Sequence, residues 1–234
     1  MSAIAIITAR GGSKRIPRKN IKSFCGNPII SYSIRAALDS RCFDEVMVST
    51  DDLEIAHIAE IYGAHVPFMR SENASNDEAT TADAIKDVLT MYIEKENQAF
   101  DTFCCIYPTA PFVTADKLQK GMKMLDEHNV DSVVPVVQFS FPPQRGFIIK
   151  NHVLQFQFPQ YASARSQDLI PIYHDCGQFY ICRTQAFMQS ESLITEKTLP
   201  IIMPEEEVQD IDNISDWNIA EIKFKRFILK NEEI

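Results

Sequence analysis

Short apolar runs alternate with helical stretches along most of this chain, and this alternation limits the folds that it can adopt. Apolar residues 4–8, 45–49 and 102–107 predict buried strands, and residues such as 80–96 between them show helical periodicity. Parallel strands need long crossover connections, which are usually helices. The alternation therefore predicts an α/β protein with three layers and a mainly parallel sheet, whose ligands bind at the carboxyl edge of the strands.

The remaining elements follow the same rhythm, with one interruption. Residues 66–68 predict a short strand and residues 70–79 a polar loop, while Pro135 in the apolar run 132–137 indicates an edge strand or a strand end. Residues 138–172 carry prolines, aromatics and two short turn-linked strand patterns, which we interpret as an insertion in a single domain of residues 1–234. Further predicted elements are strands 177–182 and 199–203 and helices 28–38, 53–63, 114–128, 184–189 and 215–229.

Composition and charge exclude several classes of protein. The 234-residue chain has a net charge of −9, which argues against general nucleic-acid binding. It contains no apolar run of about 18 residues, so we expect no membrane-spanning helix, and its first residues lack a signal-peptide pattern. The six cysteines form no C-x-x-C pair, so we expect reduced thiols, no zinc site and a cytoplasmic location.

The loop after the first strand contains glycines and only basic charges. No Asp or Glu precedes Asp39, whereas seven Lys or Arg residues do. Glycines after a buried strand let backbone N–H groups approach an anion closely, so the loop predicts a polyphosphate cradle. The alternative is a solvated basic surface, and neither a Walker loop nor a dinucleotide fingerprint is present. The candidate phosphate-binding residues are Arg10, Gly11, Gly12, Ser13, Lys14, Lys19 and Asn20.

Asp210 and Asp212 form a D-x-D pair near the end of the chain. In an extended segment, residues two apart share a face, and two neighbouring carboxylates repel unless a cation lies between them. Magnesium commonly binds through one or two carboxylates together with substrate phosphates. The pair is a candidate Mg²⁺ site, and the alternative is that Asp212 caps the last helix.

Three other segments offer polar side chains. Arg70, Asp77 and Thr81 can reach a base or a ribose, although the threonine can equally serve as an ordinary helix cap. Arg165 can pair with a carboxylate through two hydrogen bonds. The acidic run 205–207 is interpreted as a solvated turn.

Two pairs of adjacent residues are poor candidates for catalysis. His174 and Asp175 could resemble an acid–base pair, but neighbours in a strand face opposite sides, which disfavours a shared proton. Cys104 and Cys105 lie in an apolar strand pattern, and we expect both to be packing residues.

Taken together, the motifs resemble those of the CMP-sialic acid synthetases, the cytidylyltransferases that activate eight- and nine-carbon keto-sugar acids. The resemblance covers nearly the whole chain. One segment, ARSQDLIPIYHDCGQFY (164–180), is similar to the branch that activates pseudaminic acid. The motifs that carry the family resemblance are ARGGSKRIPRKN (9–20), STDD (49–52), the spacing from Arg70 to Thr81, YPTAPF (107–112) and QDIDNISDW (209–217).

The resemblance implies a Rossmann-like nucleotidyltransferase fold and the reaction of CTP with a keto-sugar acid to give a CMP-sugar and pyrophosphate. It implies Mg²⁺ as cofactor, bound by Asp210 and Asp212, and a homodimer formed through residues 138–172, with neither nucleic acid nor membrane as partner. The resemblance implies that the catalytic residues are Arg10, Lys14, Lys19 and Asp212. It implies that the basic loop binds the nucleotide together with Arg70, Asp77 and Thr81, and that the sugar is bound by Tyr107, Arg165 and Gln178.

Two departures from the family pattern concern the sugar. The sialic-acid enzymes carry Gln at the position of Tyr107. They also carry an Arg before an Asn-Gly-X-X-Tyr segment, and in this region the present chain reads His174-Asp175-Cys176-Gly177. These departures favour pseudaminic acid, with N-acetylneuraminic, legionaminic or an eight-carbon acid as alternatives. Outside the class, a nucleotide-binding module without turnover and an NAD-dependent oxidoreductase are further alternatives, and the missing glycine fingerprint disfavours the latter.

Overall fold

The computed structural model describes residues 2–75 and 79–229 of the chain. No helix in these ranges combines the length and the apolar character needed to cross a membrane. The strands are β1 Ala3–Thr8, β2 Ser23–Phe24, β3 Asn27–Pro28, β4 Glu45–Ser49, β5 Thr102–Ile106, β6 Ser132–Gln138, β7 Phe147–Lys150, β8 Val153–Phe156, β9 Tyr173–Asp175, β10 Phe179–Arg183 and β11 Thr198–Ile202. The helices are α1 Ile30–Ser40, α2 Leu53–Ile61, α3 Glu72–Ser75, α4 Thr81–Glu96, α5 Ala115–Glu127, α6 Thr184–Ser190 and α7 Ile214–Lys223, which Phe224–Ile228 continues as a π-helical turn.

The central sheet has the strand order β11-β6-β10-β5-β1-β4, and β9 pairs with β6. Strands β11, β6, β5, β1 and β4 run in one direction, while β10 and β9 run against them. The prediction of a mainly parallel sheet is confirmed. Because β10 is reversed, its start lies at the carboxyl edge of its neighbours, where the Tyr107 N–H donates to the Gln178 carbonyl at 2.9 Å.

Apolar side chains cover both faces of the sheet, as a three-layer fold requires. Alternate residues of β1 point to opposite faces, so Ile7 packs with Ile34 of α1 and Leu118 of α5. On the other face Ile6 packs with Ile85 of α4. All five side chains are fully buried.

A smaller aromatic cluster fixes the last helix beside the basic loop. Phe24 makes edge-on contacts with Trp217 and Phe224, with ring centroids 5.5 and 5.4 Å away. Ile211, just before α7, is buried in the same cluster with Ile16 of the basic loop. This packing brings the segment that carries Asp210 and Asp212 next to the loop after β1.

Two predicted details of the sheet are wrong. Residues 66–68 form no strand, because the chain beyond β4 makes only an isolated bridge between Met47 and His65. Pro135 lies in β6, which has neighbours on both sides. The proline is tolerated because it lies where the neighbouring strand changes from β10 to β9, and its carbonyl there accepts from the Cys176 N–H at 3.2 Å.

The stretch interpreted as an insertion leaves the sheet after β6 and returns at β9. The Phe139 N–H donates to the Ile172 carbonyl at 3.0 Å and closes its base. Among the described residues, strands β7 and β8 pair only with each other. Most of their apolar side chains are exposed, with Ile149 77% exposed. An apolar hairpin of this kind offers a surface for a partner.

Candidate active site

A cleft of about 550 Å³ opens at the carboxyl edge of the sheet. It lies where the loops after β1 and β5 meet Arg70, α3 and the start of α4, at the edge expected for an α/β sheet. Eight of the residues predicted to bind nucleotide or sugar line it: Arg10, Ser13, Lys14, Lys19, Asn20, Arg70, Thr81 and Tyr107.

Glycine at position 11 lets the basic loop pass close to the residues that follow β4. A Cβ at Gly11 would lie 2.8 Å from the Asp52 carboxylate, and the Gly11 N–H donates to Asp51 at 2.8 Å. This N–H is therefore engaged by a carboxylate in the structure. A Cβ at Gly12 would meet nothing within 4 Å, so Gly12 leaves open space at the mouth of the loop.

Hydrogen bonds at both ends hold the loop in shape. The buried Asn20 side chain donates to the Arg10 carbonyl at 2.8 Å and closes the loop. Arg18 takes a left-handed backbone conformation and forms ion pairs with Asp52 and Glu54 at the start of α2. Asn20 therefore has a structural role in shaping the cradle, in addition to lining the cleft.

Lys19 connects the basic loop to the acidic segment. Its Nζ donates to the Ile211 carbonyl at 2.7 Å. Burial lowers the pKa of Lys19, while Asp212 and Asp210 act in the opposite direction and favour its charged form. The two segments that the sequence singled out separately thus meet at this lysine.

Asp212 and Asp210 have different surroundings. Asp212 forms an ion pair with Arg15 at 2.6 Å, whereas Asp210 borders a separate hollow of about 240 Å³ beside His174. The cap of α7 is Asn213, whose side chain accepts from two backbone N–H groups, so the capping alternative for Asp212 is wrong. In residues 2–75 and 79–229, no group of three or more His, Cys, Asp or Glu side chains could hold a metal ion.

Arg70 and Thr81 face the cleft from the other side. The Arg70 guanidinium donates to the Ser49 hydroxyl at 2.9 Å and to the Ser49 carbonyl at 2.6 Å, and burial lowers its pKa. Thr80 forms the capping box of α4 with Asp83, so Thr81 is not needed as the cap. Asp77 lies outside the residues that the structure describes.

The residues predicted to bind sugar lie in three different places. Tyr107 lines the cleft, its hydroxyl 3.2 Å from Thr81 Oγ1. Gln178 is buried and donates to the Glu207 carbonyl at 2.8 Å, and its Oε1 has no hydrogen-bond partner within the described ranges. Arg165 is exposed on the inserted segment and does not line the cleft.

The acidic run 205–207 is not simply a solvated turn. Glu207 forms a partly buried ion pair with Lys117 at 2.6 Å, and Lys117 also donates to the Phe112 carbonyl at 2.7 Å. Lys223 of α7 donates to the carbonyls of Glu205 and Val208. These contacts fix the position of the segment before Asp210. The local sequence of an acidic run does not predict such partners, because they lie far away along the chain.

The adjacent pairs behave as expected. Cys104 and Cys105 are fully buried in β5, and burial raises the pKa of the Cys105 thiol to about 12. Asp175 accepts from the Tyr180 hydroxyl, whereas the His174 ring lies 3.0 Å from the Asp175 backbone oxygen. Asp175 therefore has its own partner and does not share a proton with His174.

A three-layer sheet with a basic, glycine-containing loop at its carboxyl edge is suited to binding the phosphates of a nucleotide. The sequence profile of the Cytidylyltransferase family matches residues 4–210. The chain is 40% identical over 227 residues to the pseudaminic acid cytidylyltransferase of Campylobacter jejuni subsp. jejuni serotype O:2, covering 96% of this chain and 97% of that protein. It is 32% identical over 231 residues to the CMP-N,N'-diacetyllegionaminic acid synthase of Legionella pneumophila subsp. pneumophila, with 94% and 95% covered.

The fold is also similar to that of a solved CMP:2-keto-3-deoxy-manno-octonic acid synthetase complexed with CTP. That likeness has a TM-score of 0.69 at 16% identity and covers 97% of this chain and 99% of the other. The chain belongs to the cytidylyltransferase family, and it is a nucleotidyltransferase.

Proposed function

We propose that this enzyme transfers CMP from CTP to pseudaminic acid, a nine-carbon keto-sugar acid, and releases pyrophosphate. The observation that carries the proposal is one cleft that gathers Arg10, Lys14 and Lys19 from the basic loop with Arg70 and Tyr107 from later loops. The 40% identity to a Campylobacter protein named for this activity supports the choice of sugar.

In this reaction the anomeric hydroxyl of the sugar attacks the α-phosphorus of CTP. A sugar C–O–P bond forms, the bond from the α-phosphorus to pyrophosphate breaks, and the hydroxyl proton is released. The protein supplies alignment and charge neutralisation rather than a covalent intermediate. Arg10, Lys14 and Lys19 hold the triphosphate and stabilise the departing pyrophosphate.

Asp210 and Asp212 are the residues proposed to hold Mg²⁺ when CTP is bound. The fit rests on two carboxylates that flank the buried Ile211 and both act on the Lys19 ammonium. Such a donor set, completed by substrate phosphate oxygens, suits Mg²⁺. When bound, the ion supplies positive charge that polarises phosphate oxygens and the attacking hydroxyl. Asp212, which pairs with Arg15 in this structure, would have to leave that ion pair to hold the metal.

The cleft divides into a nucleotide side and a sugar side. Arg70 and Thr81 are proposed to contact cytidine, together with Asp77. Tyr107 forms an aromatic wall toward the sugar, because its ring lines the cleft and packs edge-on against Tyr180 with centroids 5.7 Å apart. Gln178 supports this side from beneath, since its backbone carbonyl holds the Tyr107 N–H.

A homodimer in the cytoplasm is proposed as the working form. The hairpin of β7 and β8 exposes Phe147, Ile149 and Leu154, an apolar surface that a second subunit can cover. Arg165 is exposed on the same inserted segment, so any contact of Arg165 with sugar is proposed to be made in the partner's cleft.

The proposal is tested by incubating the enzyme with CTP, Mg²⁺ and pseudaminic acid and identifying the products by mass spectrometry. Formation of equal amounts of CMP-pseudaminic acid and pyrophosphate is expected. If a CMP-sugar formed only with legionaminic, N-acetylneuraminic or an eight-carbon acid, that acid would be the substrate instead of pseudaminic acid. If no product formed with any of them, the protein would be a nucleotide-binding module without turnover.

A further inference from the structure

Two charged side chains behind the candidate site have no role in the proposed reaction. Lys117 of α5 and Glu207, which follows β11, form an ion pair at 2.6 Å, and their side chains are only 14% and 28% exposed. Neither residue lines the cleft. The pair is nevertheless part of a set of contacts that joins the loop of Tyr107 to the segment of the two aspartates.

These contacts form a closed ring at the carboxyl edge of the sheet. The Lys117 ammonium donates to the Phe112 carbonyl at 2.7 Å, in the loop that begins with Tyr107. The Glu207 carbonyl accepts from the Gln178 side chain at 2.8 Å. The Gln178 carbonyl in turn accepts from the Tyr107 N–H at 2.9 Å and closes the ring.

Glu207 is one of two fixed points on either side of Asp210. On one side, Ile211 directly follows Asp210, is buried, and accepts from Lys19 through its carbonyl at 2.7 Å. On the other side, the ion pair with Lys117 holds Glu207, three residues before Asp210. A segment that is held at both ends keeps a carboxylate between them in one place, as a metal ligand requires.

Burial makes the two charges dependent on each other. Burial lowers the pKa of Lys117, whereas its hydrogen bond to Glu207 acts in the opposite direction and favours the charged ammonium. Removal of either partner leaves the other charge partly buried without its counter-ion, which favours its movement toward water. Such a movement of Glu207 displaces the segment that leads to Asp210.

We infer that Lys117 and Glu207 are positioning residues that hold Asp210, a proposed Mg²⁺ ligand, in place relative to the loop of Tyr107. The inference rests on the proposed function for the metal site. The alternative is an ion pair that only stabilises the fold, and the test separates the two.

Three substitutions change the ion pair in defined ways. Lys117→Met removes the ammonium, Glu207→Gln keeps the shape of the side chain but removes its charge, and Lys117→Arg keeps both the charge and the donors. Lys123→Met is the matched control. Lys123 lies on the same helix and also pairs with a glutamate, Glu127 at 3.7 Å, but its side chain is 73% exposed.

The main readout is the apparent affinity for Mn²⁺ in the presence of CTP, measured by electron paramagnetic resonance. Lys117→Met and Glu207→Gln should each weaken it about tenfold, the lower end of the effect of residues that orient metal ligands. Lys117→Arg and Lys123→Met should stay within about twofold of the unsubstituted enzyme, because the first keeps the pair and the second breaks an exposed one. CTP binding in EDTA, measured by calorimetry, should stay within about twofold in every variant, because the basic loop takes no part in the ring.

The direction of the changes separates positioning from simple electrostatics. Through charge alone, loss of the Lys117 ammonium would tighten Mn²⁺ binding, whereas loss of the Glu207 carboxylate would weaken it. Positioning predicts weaker binding in both variants. The double variant should bind Mn²⁺ no more weakly than Lys117→Met, because both changes break one ion pair.

Two results would overturn the inference. Mn²⁺ affinities of Lys117→Met and Glu207→Gln that match that of Lys123→Met would leave a pair that only stabilises the fold, whatever happens to the melting temperature. Opposite changes in the two variants would leave a charge effect without positioning. If Lys117→Met fails to fold, Glu207→Gln against Lys123→Met decides the question. Turnover of pseudaminic acid by the unsubstituted enzyme tests the proposed function separately, because Mn²⁺ and CTP binding are measured without sugar.

Discussion

Lys19 joins the two halves of the candidate site through a hydrogen bond of its side chain. It belongs to the basic loop after β1, yet its ammonium donates to the carbonyl of Ile211, between the two aspartates. A phosphate bound in the cleft would lie beside this ammonium and beside the proposed metal ligands. We expect the balance of these charges to set how firmly pyrophosphate is held.

Replacing Lys19 by Ala should lower kcat/KM for CTP by about tenfold to a hundredfold, because a charge-assisted contact contributes roughly 1.5–3 kcal/mol. Lys22→Ala is the control, since Lys22 lies over the Trp217 ring, 5.6 Å from its centroid, and does not line the cleft. Steady-state pyrophosphate release measures both variants. Equal losses in the two would show that the loop acts only through its net charge.

Single substitutions Asp210→Asn and Asp212→Asn should remove most turnover while the far-UV circular dichroism stays unchanged. Each substitution removes one of two anionic ligands from a site that relies on substrate for the rest. The apparent affinity for Mn²⁺ in the presence of CTP, measured by electron paramagnetic resonance, should fall in both variants. Full activity in either variant, or activity of the unsubstituted enzyme in EDTA, would rule out this metal site.

At the scale of single elements, α2 shows how a loop residue and a helix start stabilise each other. Asp52 caps α2 by accepting from the N–H groups of Glu54 and Ile55, and it also pairs with Arg18. The hydrogen bond from Arg18 is the main reason that the pKa of Asp52 lies below its usual value, and the cap hydrogen bonds act in the same direction. The basic loop is therefore held through a carboxylate that must stay ionised.

Asp52→Asn should reduce the free energy of unfolding at pH 7 by about 1 kcal/mol or less, because asparagine keeps the cap but loses the partly exposed ion pair. A carboxylate whose pKa is lowered by folding stabilises the folded protein at pH values above its ordinary pKa of about 3.9. This contribution is lost as the pH falls through the pKa of the folded state. The difference in free energy of unfolding between the unsubstituted protein and Asp52→Asn, measured by urea unfolding, should therefore shrink from pH 7 to pH 3. Asp126→Asn, on the exposed face of α5, serves as control, and a constant difference for Asp52→Asn would contradict the account.

Most elements could be predicted from local sequence patterns. The apolar runs at β4 and β5 are bounded by polar residues. Thr114 and Asp52 are helix caps in the structure, and Thr and Asp are residue types that favour this position. The direction of β10 could not be predicted, because an apolar run looks the same whichever way the strand runs. Residues 66–68 have a strand-like composition but find no partner beyond one bridge.

The parts of the candidate site whose residues are close together in sequence could be predicted. The parts whose residues are brought together only by folding could not. The basic loop could be recognised from the sequence because seven basic residues precede the first acidic residue. The ion pair of Lys117 with Glu207 and the contact between the Tyr107 and Thr81 hydroxyls join residues far apart in sequence. Each of these side chains alone is ordinary, so no local pattern marks them.

At the scale of the whole molecule, the exposed hairpin predicts self-association. Ile149→Lys places a charge in the centre of the exposed apolar face of β7 and should convert a dimer to a monomer, because burying an unpaired charge in the interface is costly. Ile61→Lys is the matched control, since Ile61 is also exposed, at 66%, but lies on α2 away from the insertion. Sedimentation velocity at micromolar concentration measures both. A monomeric unsubstituted protein would refute the dimer.

The central claim is that this cleft activates pseudaminic acid with CTP, and the ratio of kcat/KM for pseudaminic acid to that for N-acetylneuraminic acid tests it most directly. Pseudaminic acid ends its side chain in a methyl group where N-acetylneuraminic acid has a hydroxyl, and the Tyr107 wall accepts the methyl but leaves the hydroxyl poorly paired. The account predicts a ratio well above ten, which Tyr107→Gln narrows, with both sugars measured by pyrophosphate release at saturating CTP. Comparable values for the two sugars, or a preference for N-acetylneuraminic acid, would contradict it.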